Sequence, residues 1–225
     1  MIPFNYLDIY WIGGSPCSGK SSTASILANR YGLRLFHSDD HMDQHTRQAD
    51  PARQPVMARI ARMNWEQIWM RPVPELVADE LEFYREEFDQ LRAALEQIPG
   101  EAPILAEGTA WLPELLIHAG VSPARTFFLV PTATFQARHY AQRPWARDIL
   151  SECSQPQQAF QNWMDRDSLF ADAVEEQARA GGMPVRRVDG TLSLPETCAL
   201  IERSFDLPFP KKQGATHERK PSIPR

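Results

Sequence analysis

The chain has 225 residues, of which 43% are hydrophobic and 10% aromatic, and its formal net charge at pH 7 is -5. This size suits one α/β domain with a substantial core. The negative charge argues against a protein dedicated to nucleic acid, because no overall positive field would attract phosphate backbones. No segment reaches the roughly 20 apolar residues of a membrane-spanning helix, and no signal peptide is found, so we expect no membrane partner.

Three cysteines, Cys17, Cys153 and Cys198, lie far apart in the sequence. Their number and spacing fit neither a disulfide framework nor a zinc site. We therefore expect reduced thiols and a cytoplasmic protein.

Short apolar segments alternate with longer helical patterns along the chain, which is typical of βαβ units on a parallel sheet. Each apolar segment has the length of a strand and is nearly continuous, as expected for strands covered on both faces. The predicted strands are Asp8–Gly13, Leu33–His37, Pro103–Glu107, Thr126–Val130 and Val185–Asp189. The pattern therefore predicts an α/β fold built on a parallel sheet of these strands.

A phosphate-binding motif follows the first predicted strand and opens the first predicted helix, which runs from about Gly19 to Tyr31. The motif consists of Gly14, Ser15, Pro16, Cys17, Ser18, Gly19, Lys20 and Ser21. In such a loop, the glycines and the helix N-terminus present backbone N–H groups to phosphates. We expect Lys20 to contact the β- and γ-phosphates of ATP, Ser21 to ligate Mg²⁺ and Ser22 to support the start of the helix. The motif by itself fits ATP or GTP.

Two adjacent aspartates, Asp39 and Asp40, follow the second predicted strand. The carboxyl ends of parallel strands meet at the edge of the sheet where the phosphate loop lies. An aspartate at this edge can accept the proton of an attacking hydroxyl group. Because neighbouring residues on an extended chain point in opposite directions, only one should face the site, and we prefer Asp39 to Asp40. The alternative is that both cap the next helix.

Three histidines, His37, His41 and His45, surround these aspartates at a spacing of four residues. Such a spacing can hold a metal ion on a helix. Since Mg²⁺ prefers oxygen ligands, we expect the histidines to contact solvent or substrate instead.

The segment between the second and third predicted strands, residues 43–100, is much longer than an ordinary crossover connection. Its second half has the apolar face of a long amphipathic helix, which ends at Pro99-Gly100 and should pack on the domain. The positions of this face are Val77, Leu81, Tyr84, Phe88, Leu91, Leu95 and Ile98. A helical pattern from Ala52 to Met70 precedes it, so we predict an inserted helical cap.

The third predicted strand ends in Glu107 and Gly108. A carboxylate at this place is what a direct or water-mediated ligand of Mg²⁺ requires, and the glycine would let the backbone approach a phosphate closely. The alternative is that Glu107 only caps the end of the strand.

Arginines are concentrated after the fourth predicted strand, in residues 132–155, where a helix is predicted from Thr132 to Gln142. Arginines on such a segment can stabilise the negative charge that develops during phosphoryl transfer. We expect Arg143, and after it Arg138, to act in this way, with Arg147 as a further member of the set. A charged surface face is the alternative for each of them.

Two more helices are predicted, Pro156–Ala180 and Leu194–Phe205. The run Asp165-Arg166-Asp167 within the first of them is a further charged cluster, and ordinary surface charges explain it about as well. From residue 208 to 225, prolines and charges are scattered without an apolar period, so we predict a disordered tail.

Taken together, these features resemble the P-loop kinases, the family that includes shikimate, gluconate, chloramphenicol and nucleoside monophosphate kinases. The resemblance rests on residues 14–21, on the acidic end Phe36-His37-Ser38-Asp39 of the second strand, on Leu105-Ala106-Glu107-Gly108, and on the arginine-bearing segment 138–147. The substrate motifs of the gluconate and shikimate kinases are not reproduced intact, so the acceptor is left open.

The resemblance implies a P-loop three-layer sandwich whose five parallel strands have the order 2-3-1-4-5. It implies one kinase domain over residues 1–207, with a substrate-binding helical insert at 43–100 after strand two and a lid at 132–155 after strand four. An adenine contact is implied near Asp189-Gly190-Thr191.

We expect a phosphotransferase that uses ATP and Mg²⁺ on a small-molecule hydroxyl or phosphate acceptor, with no nucleic-acid partner. One alternative is a nucleoside or nucleoside monophosphate kinase, which needs an arginine of the insert to hold the acceptor phosphate; Arg53, Arg59, Arg62 and Arg71 are available. A second alternative is a nucleotide-binding regulatory module with little catalysis. The joint presence of Lys20, Ser21, Asp39 and Glu107 argues against the module, since a module has no use for a base.

Overall fold

A computed structural model describes residues 9–207 of the chain. Its strands are β1 (Ile9–Gly14), β2 (Arg34–His37), β3 (Ile104–Glu107), β4 (Thr126–Pro131) and β5 (Val185–Val188). All pairings are parallel, and the five-stranded sheet has the order β2-β3-β1-β4-β5. The predicted fold class and strand order are therefore confirmed. Asp8, the predicted start of the first strand, and the predicted disordered tail at 208–225 lie outside the described residues.

Helices connect the successive parallel strands, as such a sheet requires. Helix α1 (Lys20–Tyr31) connects β1 to β2. The connection from β2 to β3 contains α2 (Asp39–Arg47), α3 (Pro55–Ile60), α4 (Trp65–Trp69) and α5 (Val73–Glu96), and the one from β3 to β4 contains α6 (Pro113–His118). The connection from β4 to β5 contains α7 (Ala133–Tyr140), α8 (Pro144–Ser151) and α9 (Pro156–Ala180), and α10 (Leu194–Phe205) follows β5. Within residues 9–207, none of these helices combines the length and the apolar character needed to cross a membrane.

Helices cover both faces of the sheet, so the strands are buried on both sides. Alternate residues of a strand point to opposite sides. Trp11 of β1 and Phe128 of β4 belong to one apolar cluster, which α5 and α9 cover. Tyr10 and Ile12 of β1 belong to a second cluster, which α1 and α10 cover. The result is three layers, helix–sheet–helix.

The long helix α5 begins four residues before Val77, the first position of its predicted apolar face. It buries Tyr84, Phe88, Leu91 and Leu95 as expected, and it packs against α9. Its buried side extends further than the predicted stripe and also includes Leu76, Phe83 and Glu87.

The connections contain more short helices than the sequence indicated. The predicted helix from Ala52 to Met70 is divided into α3 and α4, and α2, α6 and α8 were not predicted. Pro144 separates Arg143 from Arg147 as expected, since α7 ends at Tyr140, but it also occupies the first position of a new helix, which proline favours.

Candidate active site

The phosphate loop connects β1 to α1 and lies directly on β4. A Cβ atom added at Gly14 would lie 1.9 Å from the backbone oxygen of Leu129, so only glycine allows this approach. The N–H of Ser15 donates to the same oxygen at 3.1 Å. Gly19, the N-cap of α1, has a φ of 83° and Cys17 a φ of 63°, both in the left-handed region. The sequence motif therefore forms a tightly wound backbone loop at a helix N-terminus.

Lys20 is buried inside this loop, with 6% of its surface exposed. Its ammonium group donates to the backbone oxygen of Ser15 at 3.0 Å. Burial lowers the pKa of Lys20, while the carboxylates of Glu107 and Asp39 act in the opposite direction. The hydroxyl group of Ser18 is also buried, and it has no hydrogen-bond partner among residues 9–207. A phosphate in the loop would give the Ser18 hydroxyl a partner and Lys20 a second one.

Ser21 is held by Glu107 at the end of the neighbouring strand. The Ser21 hydroxyl donates to Glu107 Oε1 at 3.0 Å, and His37 Nδ1 lies 2.6 Å from Glu107 Oε2. The parallel register places His37 of β2 opposite Glu107, which is 2% exposed. His37 therefore contacts Glu107, where the sequence indicated solvent or substrate. The carboxylate and hydroxyl oxygens form a donor pair that suits Mg²⁺.

No group of three or more His, Cys, Asp or Glu side chains that could hold a metal ion occurs in the described part of the chain. Mg²⁺ commonly uses only one or two protein ligands together with phosphates and water, so the pair Ser21–Glu107 fits this ion in its usual setting. The residues present therefore fit a nucleotide-bound Mg²⁺ rather than a metal held by protein alone.

Gly108 accommodates the side chain of Ser38. A Cβ atom at this position would lie 1.6 Å from the hydroxyl oxygen of Ser38, and the φ of Gly108 is 155°. The Ser38 hydroxyl in turn donates to Asp39 Oδ1 at 3.1 Å. Gly108 thus allows the start of α2, and with it Asp39, to lie beside the end of β3.

Asp39 and Asp40 form the first turn of α2 and are both exposed. They lie on a helix and not on an extended chain, so the geometric reason for choosing between them was wrong. On a helix, adjacent side chains are separated by about 100° around the axis. Asp39 lines the cleft next to the phosphate loop, whereas Asp40 does not.

This cleft has a volume of about 630 Å³ and runs from the phosphate loop along the helices that follow β2. One end is lined by the loop and its surroundings; the other is lined by α2 to α5, by residues of α7 and α8, and by one arginine of α9. The lining residues are Pro16, Cys17, Lys20, Ser21, Asp39, Met42, Asp43, Thr46, Ile60, Ala61, Met63, Trp65, Ile68, Trp69, Arg71, Leu76, Asp79, Glu80, Phe83, Tyr84, Thr109, Tyr140, Arg143, Trp145 and Arg166.

The arginines after β4 differ in their position. Arg143 is half-buried and lines the cleft, with its guanidinium carbon 5.0 Å from the ring centre of Tyr140 and 5.6 Å from that of Trp145. Arg138 and Arg147 are exposed and do not line the cleft. Of the three, the structure brings only Arg143 together with the phosphate loop.

Arg166 and Asp167 form a buried charge network, so the expectation of an ordinary charged surface is wrong for them. Arg166 Nε lies 2.6 Å from Asp167 Oδ1, and a second guanidinium nitrogen contacts Glu80 of α5. Burial opposes the charge of Arg166, but Asp167 and Glu80 outweigh it and raise the pKa of the guanidinium. Burial also raises the pKa of Asp167 to about 6, although Arg166 acts against this shift.

The sequence of α9 contains a signal that could have predicted this buried network. Its buried positions include Trp163, Phe170 and Val174, spaced as one face of a helix. Arg166 and Asp167 fall between them on that same face. Charged residues inside an apolar stripe indicate a buried ion pair.

A second charge network closes the other side of the cleft. Asp79 of α5 accepts from Arg71 and, at 2.6 Å, from Arg59. Burial favours the neutral form of Asp79, but these two arginines outweigh it and lower the pKa of the carboxyl. Of the four arginines considered for an acceptor phosphate, only Arg71 lines the cleft, and it is already paired.

No family model matches the chain, and no curated protein matches it. Among solved structures, TT1252 from Thermus thermophilus is similar over 87% of this chain and 96% of its own, with 17% identity and a TM-score of 0.47. An uncharacterized protein from Eubacterium ventriosum has 13% identity and a TM-score of 0.43, covering 88% of this chain and 97% of its own. A proposed kinase from Chloroflexus aurantiacus has 11% identity and a TM-score of 0.39, covering 87% and 97%. These values are too low to transfer a function from any of the three.

Proposed function

We propose that the protein is a P-loop phosphotransferase that uses ATP and Mg²⁺ to phosphorylate a hydroxyl group of a small molecule. The observation that carries the proposal is that Lys20 of the phosphate loop and the carboxylate of Asp39 line the same cleft. A donor site and a base on opposite sides of one cavity are the two parts that phosphoryl transfer to a hydroxyl requires. The three cysteines are free thiols, which supports a location in the reducing cytoplasm.

The nucleotide end of the cleft consists of residues 14–22. In the proposal, Lys20 exchanges its contact with the Ser15 oxygen for the phosphates, and the buried Ser18 hydroxyl gains a partner. Ser21 and Glu107 would hold the metal ion, and Ser22 belongs to the first turn of α1. When bound, ATP supplies the phosphoryl group and Mg²⁺ supplies positive charge next to the phosphate oxygens.

The reacting groups outside the phosphate loop are Asp39 and Arg143. Asp39 accepts the proton of the attacking hydroxyl group, and its Oδ1 atom is oriented by the hydroxyl of Ser38. Arg143 lies across the cleft on two aromatic rings and places a fixed positive charge where charge develops on the phosphoryl oxygens. In this scheme residues 43–100 form the substrate-binding insert of the kinase domain, and residues 132–155 form a lid.

The first test compares Lys20→Met with Arg30→Met. Both positions lie on α1 and both changes remove one positive charge, but Arg30 is exposed and pairs with Glu202. ADP formation is measured over a panel of sugars, nucleosides, nucleotides and small alcohols, together with ATP binding by calorimetry. We expect Lys20→Met to lower acceptor-stimulated turnover by about 100-fold or more and Arg30→Met to leave it unchanged.

Two results would contradict the proposal. Full ATP binding and turnover by Lys20→Met would remove the phosphate loop from the mechanism. Tight ATP binding that depends on Lys20, with no stimulation by any acceptor of the panel, would favour a nucleotide-binding regulatory module.

A further inference from the structure

The cleft has a second half that the phosphate loop does not use. We call the part lined by α2 to α5 and by Arg166 the acceptor half. If the proposed function is correct, this half surrounds the molecule that is phosphorylated, so its chemistry defines the class of acceptor.

The walls of the acceptor half are mostly large apolar and aromatic side chains. Trp65, Ile68, Leu76 and Phe83 line it. Trp69 also lines it and forms a stacked pair with Trp163, with ring centres 4.2 Å apart. Stacked and buried rings form a rigid surface. A ligand with an apolar ring would bury area against this surface and gain about 25 cal/mol for each Å² removed from water.

The arginines of the acceptor half are already neutralised. Arg71 is paired with Asp79, which also pairs with Arg59. Arg166 is paired with Glu80 and Asp167, and its guanidinium carbon lies 5.0 Å from the ring centre of Trp69. An acceptor phosphate or carboxylate would have to compete with these carboxylates for an arginine, and withdrawal of Arg166 would leave Glu80 and the buried Asp167 without their common ion-pair partner.

The carboxylates of the acceptor half outnumber the arginines. Arg71 and Arg166 line it together with Asp39, Asp43, Asp79 and Glu80. Asp39 and Asp43 are separated by one helical turn on α2, and neither forms an ion pair with a residue between 9 and 207. With Lys20 and Arg143 assigned to the nucleotide, the remaining half carries excess negative charge.

We propose that the acceptor is a hydroxyl compound with an apolar ring and no negative charge, either uncharged or carrying an ammonium group. Its ring lies against Trp65 and Leu76, and an ammonium group is favoured by Asp43. Phosphate- and carboxylate-bearing acceptors, including nucleoside monophosphates, are disfavoured by the carboxylates of the acceptor half.

Three compounds that share one phenyl ring and one benzylic hydroxyl test this proposal: phenylglycol is neutral, phenylethanolamine is cationic and mandelate is anionic. Three of the six tryptophans, Trp65, Trp69 and Trp145, line the cleft, so quenching of intrinsic fluorescence reports binding. We expect mandelate to bind at least about tenfold more weakly than phenylethanolamine, because one uncompensated charge contact of this kind is worth about 1.4 kcal/mol. Phenylglycol should bind between the two.

Two matched variants test whether the preference for a cationic ligand arises from the acceptor half. Asp43→Asn and Asp40→Asn each remove one exposed carboxylate from α2, but only Asp43 lines the cleft. Asp43→Asn should reduce the preference for phenylethanolamine over phenylglycol, and Asp40→Asn should leave it unchanged. Equal effects of the two variants, binding of mandelate as tight as that of phenylethanolamine, or binding of none of the three compounds would overturn the inference.

The binding measurements contain a saturating concentration of a nonhydrolysable ATP analogue with Mg²⁺, so that Lys20 and Arg143 are occupied while phosphoryl transfer cannot take place. A failure of the proposed function appears in the Lys20→Met experiment instead. The two failures are therefore distinguishable.

Discussion

The two ends of the cleft are built in different ways. The phosphate loop is a contiguous backbone structure at the carboxyl end of β1, the central strand of the sheet, and its one cation, Lys20, is buried and donates to a backbone oxygen. The acceptor half is built from side chains of α2, α4, α5 and α9, and its buried cations are paired with carboxylates. A cation that forms no direct ion pair can attract an anionic ligand, whereas paired charges mainly position the walls around a less charged one.

In the proposed function, this difference separates nucleotide binding from acceptor binding within one cavity. Helix α2 belongs to both ends, because Asp39 lies beside the phosphate loop and Asp43 lies in the acceptor half. Substitutions at one end of the cleft should therefore change ligand binding at that end only, unless they act through α2.

The largest effect is expected at the junction of the two ends. Asp39→Asn should lower acceptor-dependent ADP formation by about 100-fold to 10,000-fold, the usual contribution of a general base. ATP binding should persist, since Asp39 lies outside the phosphate loop. Calorimetry with ATP and a coupled ADP assay measure the two quantities.

Asp40→Asn is the matched control for this prediction, because it removes an adjacent exposed carboxylate that does not line the cleft. Its turnover should equal that of the unmodified protein. A large loss in Asp40→Asn with little loss in Asp39→Asn would assign the base to Asp40.

The next largest effect concerns the paired charges of the acceptor half. Arg166→Leu leaves Glu80 and Asp167 buried without their common partner. We expect a loss of about 3–5 kcal/mol in the free energy of unfolding, as for other buried pairs that lose one member. Urea denaturation followed by circular dichroism measures it.

Arg179→Leu on the same helix provides the control. The Arg179 side chain is 69% exposed, and its partner Glu175 keeps a second ion pair with Arg187. This variant should lose less than about 1 kcal/mol, as for exposed ion pairs. Equal losses in the two variants would mean that the Arg166 network is not held by its buried charges.

The contrast between the ends also explains what could be predicted from sequence. The strands and the phosphate loop were predicted because their signals are local: an apolar run, then a glycine-rich turn with Lys20 at a helix start. The strand order was predicted from the resemblance to the P-loop kinases and not from these local signals. Arg166 was misinterpreted because burial depends on the partner helix, which a run of neighbouring charges does not indicate.

Two details depended on contacts between distant segments and were not predictable. Gly108 accommodates Ser38, a residue that follows a different strand. His37 contacts Glu107 because β2 and β3 are paired in register. Asp39 was selected on the assumption of an extended chain, but the chain there is already helical, because aspartates favour the first turn of a helix.

The smallest expected effect concerns the contact between α2 and α5. His45 of α2 and Glu87 of α5 are both buried, and His45 Nδ1 lies 2.9 Å from Glu87 Oε1. Burial raises the pKa of Glu87 to about 8, with Asp39 and Glu80 adding to the shift, and burial together with His41 lowers the pKa of His45. Burial thus favours a hydrogen bond between two neutral groups over an ion pair.

The pH dependence follows from these two shifts. Between the ordinary Glu pKa of 4.5 and about 8, the folded protein retains the Glu87 proton and the unfolded chain does not, so stability falls as pH rises. The lowered pKa of His45 acts in the opposite direction, but only below its ordinary value of 6.5. From pH 6.5 to about 8, Glu87 therefore dominates this pair.

Glu87→Gln keeps a side chain of the same shape that can hydrogen-bond His45 and removes the titration. Between pH 6.5 and 8, the unfolding free energy of the unmodified protein should fall relative to Glu87→Gln, by at most about 1.4 kcal/mol for each pH unit. Urea denaturation at both pH values measures this difference, with Glu96→Gln, an exposed change at the end of the same helix, as the control. Parallel pH profiles for Glu87→Gln and the unmodified protein would show that Glu87 is ionised at neutral pH and that α2 is anchored by an ion pair.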